Sequence, residues 1–190
     1  ADRNGYCTYS AWDEQGREWK FQKDVSIAGI DSEKCEMVTP ILNYSDIETL
    51  QELVRILRKA GAKSDSTRGC GVHIHIGAKG HTAKTLRNLA NIMASHEQLL
   101  IDALNLDEVR IRRYCKTVDP RFLEQVNRTK PETMSQLADV WYKSHDENYG
   151  RSHHYNGSRY HMLNLHATFT KGTVEFRLFQ FDRPANGKQN

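Results

Sequence analysis

Apolar and polar residues alternate through Gly69-Cys70-Gly71-Val72-His73-Ile74-His75-Ile76-Gly77-Ala78. Successive strand side chains leave opposite faces, so the stretch predicts a strand with Val72, Ile74 and Ile76 against a core. His73 and His75 then share the other face. Glycines on both sides allow backbone or ligand to come close. Two imidazoles placed this way begin a metal or phosphate site, or are hydrogen-bonded structural residues, and partners elsewhere in the chain decide between these.

The same period recurs in several places. Trp19-Lys20-Phe21-Gln22-Lys23-Asp24 alternates, after a weakly patterned opening that carries Tyr6, Tyr9 and Trp12. Residues 35–42 read as a second strand in which Pro40 marks an edge or an exit. Glu36 is the unusual residue there, because a carboxylate in an apolar strand must be paired, solvated or bound to a cation. Near the end, residues 162–169 and 173–181 flank Thr170-Lys171-Gly172, a hairpin signal. In the second of these strands Glu175 and Arg177 share one face, and Val174, Phe176 and Leu178 the other.

Helical spacing fills the middle. Ser45 and Glu48 form a capping box ahead of Ile47, Leu50, Leu53, Val54 and Leu57, and Gly61 stops that helix. Thr82 caps a longer helix whose apolar positions include Leu86, Leu89, Ala90, Met93, Leu100 and Leu104. His81 and His96 fall on or near it as ordinary surface residues. Residues 107–130 read as short helical pieces around Pro120, and Pro131 begins a helix with Met134, Leu137, Ala138 and Trp141 on one side. Residues 144–159 are polar, with His145, Asp146, Glu147, His153 and His154 among tyrosines and glycines. A long polar loop in a compact domain is more often functional than decorative, and His153-His154 is a secondary metal candidate.

The 190 residues are 38% hydrophobic and 27% charged, which suits one globular domain with a sizeable core. No apolar run approaches the roughly 18 residues of a membrane span. The polar start Ala1-Asp2-Arg3-Asn4 has no signal-peptide core. A net charge of +3 with mixed signs does not demand nucleic acid, and Arg110, Arg112 and Arg113 read as a solvated or phosphate-binding face. Cys7, Cys35, Cys70 and Cys115 lack metal or disulfide spacing and read as reduced thiols of a cytoplasmic protein.

Glu36, His73 and Glu175 lie on three different strands, each flanked by core-facing neighbours. Two carboxylates and a neutral imidazole suit magnesium or manganese, with the remaining positions left to phosphate and water. Arg177 projects beside Glu175, where a fixed guanidinium holds a carboxylate or phosphate in two places. Such a site suits phosphoryl transfer.

Gly71-Val72-His73-Ile74-His75-Ile76-Gly77, then Ser158-Arg159-Tyr160, Leu163-Asn164-Leu165 and Thr173-Val174-Glu175-Phe176-Arg177, resemble the amidoligase family, a distant relative of glutamine synthetase and glutamate–cysteine ligase. Asp24-Val25-Ser26-Ile27 and Glu36-Met37-Val38-Thr39-Pro40 fit as well, so the resemblance covers most of the chain. It implies an α+β fold in which an antiparallel sheet forms an active-site funnel with helices packed on its outer face. It also implies an ATP- and Mg-dependent ligase that joins a carboxylate to an amine through an acyl-phosphate. Carried over, Glu36, His73 and Glu175 hold metal, His75 lies near the nucleotide phosphates, and Arg177 steadies the transferred phosphate or the substrate carboxylate. Arg159 neutralises charge developing on phosphate. The partners implied are small-molecule or peptide acids and amines, with a homo-oligomer allowed and no nucleic acid or membrane.

The family's usual opening strand, G-[IV]-E-x-E, has no counterpart before Tyr6, and its further helix would lie beyond Asn186-Gly187-Lys188. The expectation is one amidoligase-like domain over residues 1–190 without those two elements. Two other classes fit the same residues: a metal-dependent hydrolase or cupin-like protein built on His73, His75 and Glu36, and a non-catalytic module that keeps the fold.

Overall fold

The computed structural model describes residues 8–181, in two compact units, Ala1–Cys70 and Gly71–Asn190. Tyr6, Cys7 and the segment around Asn186 lie outside the described residues.

The first unit is a three-stranded antiparallel sheet, β1 (Thr8–Trp12), β2 (Glu18–Gln22) and β3 (Glu36–Val38), in that order, followed by helix α1 (Ile47–Lys59). Strand β1 falls in the weakly patterned opening because Tyr9 and Trp12 are both exposed, so no buried face imposes a period. Asp13 closes the β1–β2 turn by accepting from the backbone of Gln15 and Arg17 and from the Trp19 indole. Arg17 reaches on to Asp46 through two hydrogen bonds of 2.9 Å each. The capping box is built from Asn43 and Asp46, two residues earlier than the expected Ser45 and Glu48, because residues 44–46 already form a tight helical turn that leads into α1. The expected apolar residues Leu50, Leu53, Val54 and Leu57 are half-buried, and no α1 residue is fully buried.

The second unit has a second antiparallel sheet in the order β4 (Val72–Gly77), β6 (Thr173–Phe179), β5 (Leu163–Asn164). Its helices are α2 (Ala83–Ala103), α3 (Glu108–Arg113), α4 (Pro120–Thr129), α5 (Met134–Ser144) and α6 (His166–Lys171). Thr82 caps α2 as its sequence predicts, while α5 starts at a Thr133 cap beyond Pro131. Leu86, Ala90, Met93, Phe122, Val126, Leu137, Trp141, Leu163, Val174 and Leu178 form one apolar core. The fold class is thus mixed α/β with small antiparallel sheets.

Two expectations fail here for identifiable reasons. Ile74 and Ile76 are 42% and 53% exposed, because β4 is an edge strand and the core lies under β6 and β5. The connection into β6 is a short helix, α6, rather than a tight hairpin turn. Leu165, Ala167 and Phe169 have a strand's spacing, but short apolar runs do not separate buried strand from buried helix. Gly172, at φ 71°, ends α6 in the left-handed region.

Arg110, expected on a solvated or phosphate-binding face, is instead fully buried and donates to the Arg177 carbonyl oxygen, joining α3 to β6. A Cβ at Gly71 would overlap that guanidinium. Because Arg110 is enclosed, it cannot swing aside, and Gly71→Ala is expected to cost about 1–3 kcal/mol in urea unfolding.

Burial also fixes two imidazoles as neutral. His145 Nδ1 meets the Trp141 carbonyl at 2.6 Å and His161 Nδ1 the Thr117 carbonyl at 2.7 Å, with ring centroids 4.6 Å apart. Loss of water lowers both, His161 to about 4. The unfolded chain therefore takes up these protons first as pH falls from about 6.5, so this contribution to stability is full above that value and lost below it. The Tm should fall between about pH 6.5 and 4, with a shallower slope in His161→Gln, by calorimetry.

Candidate functional site

Glu175 sits mid-strand on β6, and the register sets it opposite His75 on β4 and Asn164 on β5. Three strands thus align an imidazole, a carboxylate and an amide in one row. His73 and Arg177 extend it where the β4–β6 register shifts between Val72 and Ile74, and both meet the Glu175 carboxylate. The opposite face of β6 carries Val174 and Leu178 into the core, which is why the polar row is held rigidly.

The row's carboxylate, guanidinium and amide are closed to water, with Glu175 4% exposed, Arg177 6% and Asn164 2%, while His73 and His75 on the edge strand stay exposed. Both carboxylate oxygens are engaged. Oε1 accepts from Arg177 Nη1 at 2.6 Å, and Oε2 accepts from Asn164 Nδ2 at 2.6 Å. The imidazoles stand further off, with His73 Nδ1 3.6 Å and His75 Nε2 3.7 Å from Oε1. His75 Nδ1 lies 2.9 Å from the Thr173 hydroxyl, which orients its ring.

These contacts set the charges. Burial would raise the Glu175 carboxyl, but Arg177, then His73 and His75, outweigh it and leave the group below its ordinary value. His73 is pushed down to about 3 by desolvation first and by the Arg177 charge second. Desolvation also lowers His75, against the pull of Glu175, with Lys171 and Arg177 adding to the fall. At neutral pH the row therefore has one carboxylate, one guanidinium and two uncharged imidazoles.

Arg159 ends a tight turn, Gly157–Arg159, capped by the Asn156 side chain and fixed by the Trp141 indole on the Ser158 hydroxyl at 2.9 Å. Its Nη1 donates to the His154 carbonyl, and its guanidinium lies 5.0 Å from the Tyr160 ring centre. Arg177 lies 5.6 Å from the same ring. His154 and His166 both feel the charges of Arg159 and Glu175, so the loop expected to be functional borders the row.

The structure therefore brings together His73, His75, Glu175 and Arg177 and sets Arg159 beside them. Glu36 lies on β3 of the first unit, opposite Gln22. Asn164 and Tyr160 stand inside the family-like motifs, but the sequence assigns neither of them a role. The available signal for Asn164 was a lone amide between Leu163 and Leu165.

Among the described residues no three His, Cys, Asp or Glu side chains are arranged to hold a metal ion. With both Glu175 oxygens engaged, the donors do not make a cage for a resident dication. No helix among the described residues is long and apolar enough to cross a membrane.

Breaking the central pair tests its role. Arg177→Met leaves a buried carboxylate without its cation, so stability should drop by about 3–5 kcal/mol and the Glu175 carboxyl should titrate higher by carbon NMR.

A family model described as "Putative amidoligase enzyme" matches residues 1–182. No match was found among curated proteins or among solved structures. With nearly its whole length under one family model, and with the motif residues His73, His75, Glu175 and Arg177 gathered on one sheet face, the chain belongs to the amidoligase family.

Proposed function

We propose that the protein is an ATP-dependent carboxylate–amine ligase that forms an amide through an acyl-phosphate. The observation that carries the reading is the buried Glu175–Arg177 pair flanked by His73, His75 and Asn164, in a chain of amidoligase type.

A carboxylate and an amine in water form a salt until the acid acquires a leaving group. In this reading the substrate carboxylate attacks the terminal phosphorus of ATP and ADP departs. The amine nitrogen then adds to the acyl carbon, phosphate leaves, and nitrogen loses a proton. The acid, the nucleotide and the departing phosphate are all anionic, so catalysis rests on fixed cations and donors aimed where negative charge gathers.

Arg177 suits that task because Glu175 fixes its orientation, and Arg159 supplies a second guanidinium. Neutral His73 and His75 would add donors or acceptors without adding charge, and of the two His75 is the one to take the proton that the amine gives up, since His73 is held near 3. Magnesium carried on the nucleotide, held by Glu175 and His73, would neutralise the phosphates. A glutamine synthetase-like funnel, with the β4-β6-β5 sheet as one wall, belongs to the same proposal. So do small-molecule or peptide acids and amines as substrates, a cytoplasmic location and a possible homo-oligomer.

Isothermal titration of ATP with and without magnesium tests the reading. Wild type should bind in a magnesium-dependent way, and Glu175→Gln should bind at least about tenfold more weakly, since Arg177 loses the charge that orients it. Affinity should stay flat between about pH 7 and 8, because desolvation holds both His73 and His75 below their ordinary value. Absence of ATP binding by the wild type at millimolar nucleotide overturns the proposal.

A further inference from the structure

We infer that Tyr160 is a positioning residue that holds Arg159 and Arg177 ready for an anion by cation–π contact. The inference rests on the ligase reading for the identity of that anion.

Arginines 159 and 177 are far apart in sequence, yet both guanidiniums lie against the Tyr160 ring, at 5.0 and 5.6 Å from its centre. Distances under about 6 Å are those at which the ring's negative face attracts a cation. The ring is itself pinned through its backbone. Lys116 N donates to the Tyr160 carbonyl at 3.0 Å, and Tyr160 N closes the preceding turn on the Gly157 carbonyl.

The way a guanidinium is held decides what it can still bind. A carboxylate partner takes N–H donors and cancels charge, as Glu175 does at one Arg177 nitrogen. An aromatic face attracts the cation without using any donor. Arg159 forms no ion pair among the described residues, and its one hydrogen bond goes to the His154 carbonyl. Its buried Nε, like that of Arg177, has no partner. Tyr155, 5.2 Å from the Arg159 guanidinium, adds a second ring on that side only. Two cations set against a single carboxylate would normally drift apart. A shared ring holds both while leaving the excess positive charge uncancelled, which is what binding of a phosphate group requires.

The test uses the full chain, magnesium ATP as probe and four kinds of protein: wild type, Tyr160→Phe, Tyr160→Leu, and chains with mono-, di- and trifluorinated phenylalanine at position 160. Phe keeps the ring face and should bind like wild type. Leu should weaken binding about tenfold. Successive fluorines withdraw charge from the ring face at nearly constant shape, so affinity should fall stepwise along the series, which a packing role would not produce.

Nitrogen–proton NMR of the arginine Nε groups gives a second readout that needs no nucleotide. Resonances of Arg159 and Arg177 should be displaced by the ring current in wild type and in Tyr160→Phe, and should lose that displacement in Tyr160→Leu. Equal ATP affinity across the fluorine series, or arginine resonances indifferent to Leu, overturns the inference. If the wild type binds no ATP, the ligase reading fails, and the arginine spectra alone then decide the role of Tyr160.

Discussion

The second unit is organised around one costly group, the Glu175 carboxylate, buried in the central strand of a three-stranded sheet. An ionised carboxylate removed from water is tolerated only if its charge and lone pairs are met. Arg177 from the same strand meets the charge, and Asn164 from the neighbouring strand meets the second oxygen. Desolvation and the Arg177 charge lower the two histidines of β4 against the opposing pull of Glu175. A sheet face that would otherwise be apolar thus becomes a fixed array of donors, acceptors and charge, backed by a packed core that keeps it from relaxing.

How much of this was legible in the sequence depended on whether a local rule and the tertiary environment agreed. Alternation correctly set His73 with His75 and Glu175 with Arg177, because side-chain parity in a strand is purely geometric. The same alternation misplaced Ile74 and Ile76, since parity says which residues share a face but not which face the helices cover. Residues 162–169 read as strand by their apolar spacing, which fits either geometry, yet from His166 onward they are helical. The Asn43–Asp46 cap was hidden by a stronger-looking Ser45–Glu48 pair. Asn164 was missed because an amide within an apolar run acquires meaning only when register sets a carboxylate opposite it.

Resemblance and geometry contributed different things. The motif order points to the family, and the family model agrees over residues 1–182. The geometry adds what motifs do not contain: which contacts hold Glu175, why the histidines are neutral, and how Arg159 comes to lie beside Arg177 through an aromatic ring.

The first unit is held on other terms. Among its described residues the only fully buried hydrophobic side chain is Trp19, whose indole bonds to Asp13 within the network that runs through Arg17 to Asp46. Apolar surface removed from water is what gives unfolding its positive heat-capacity change, whereas polar exposure lowers it. The heat capacity of unfolding therefore resides mainly in residues 71–181, and the free energy that holds the three-stranded sheet to its helix cap curves with temperature far less than that of the core.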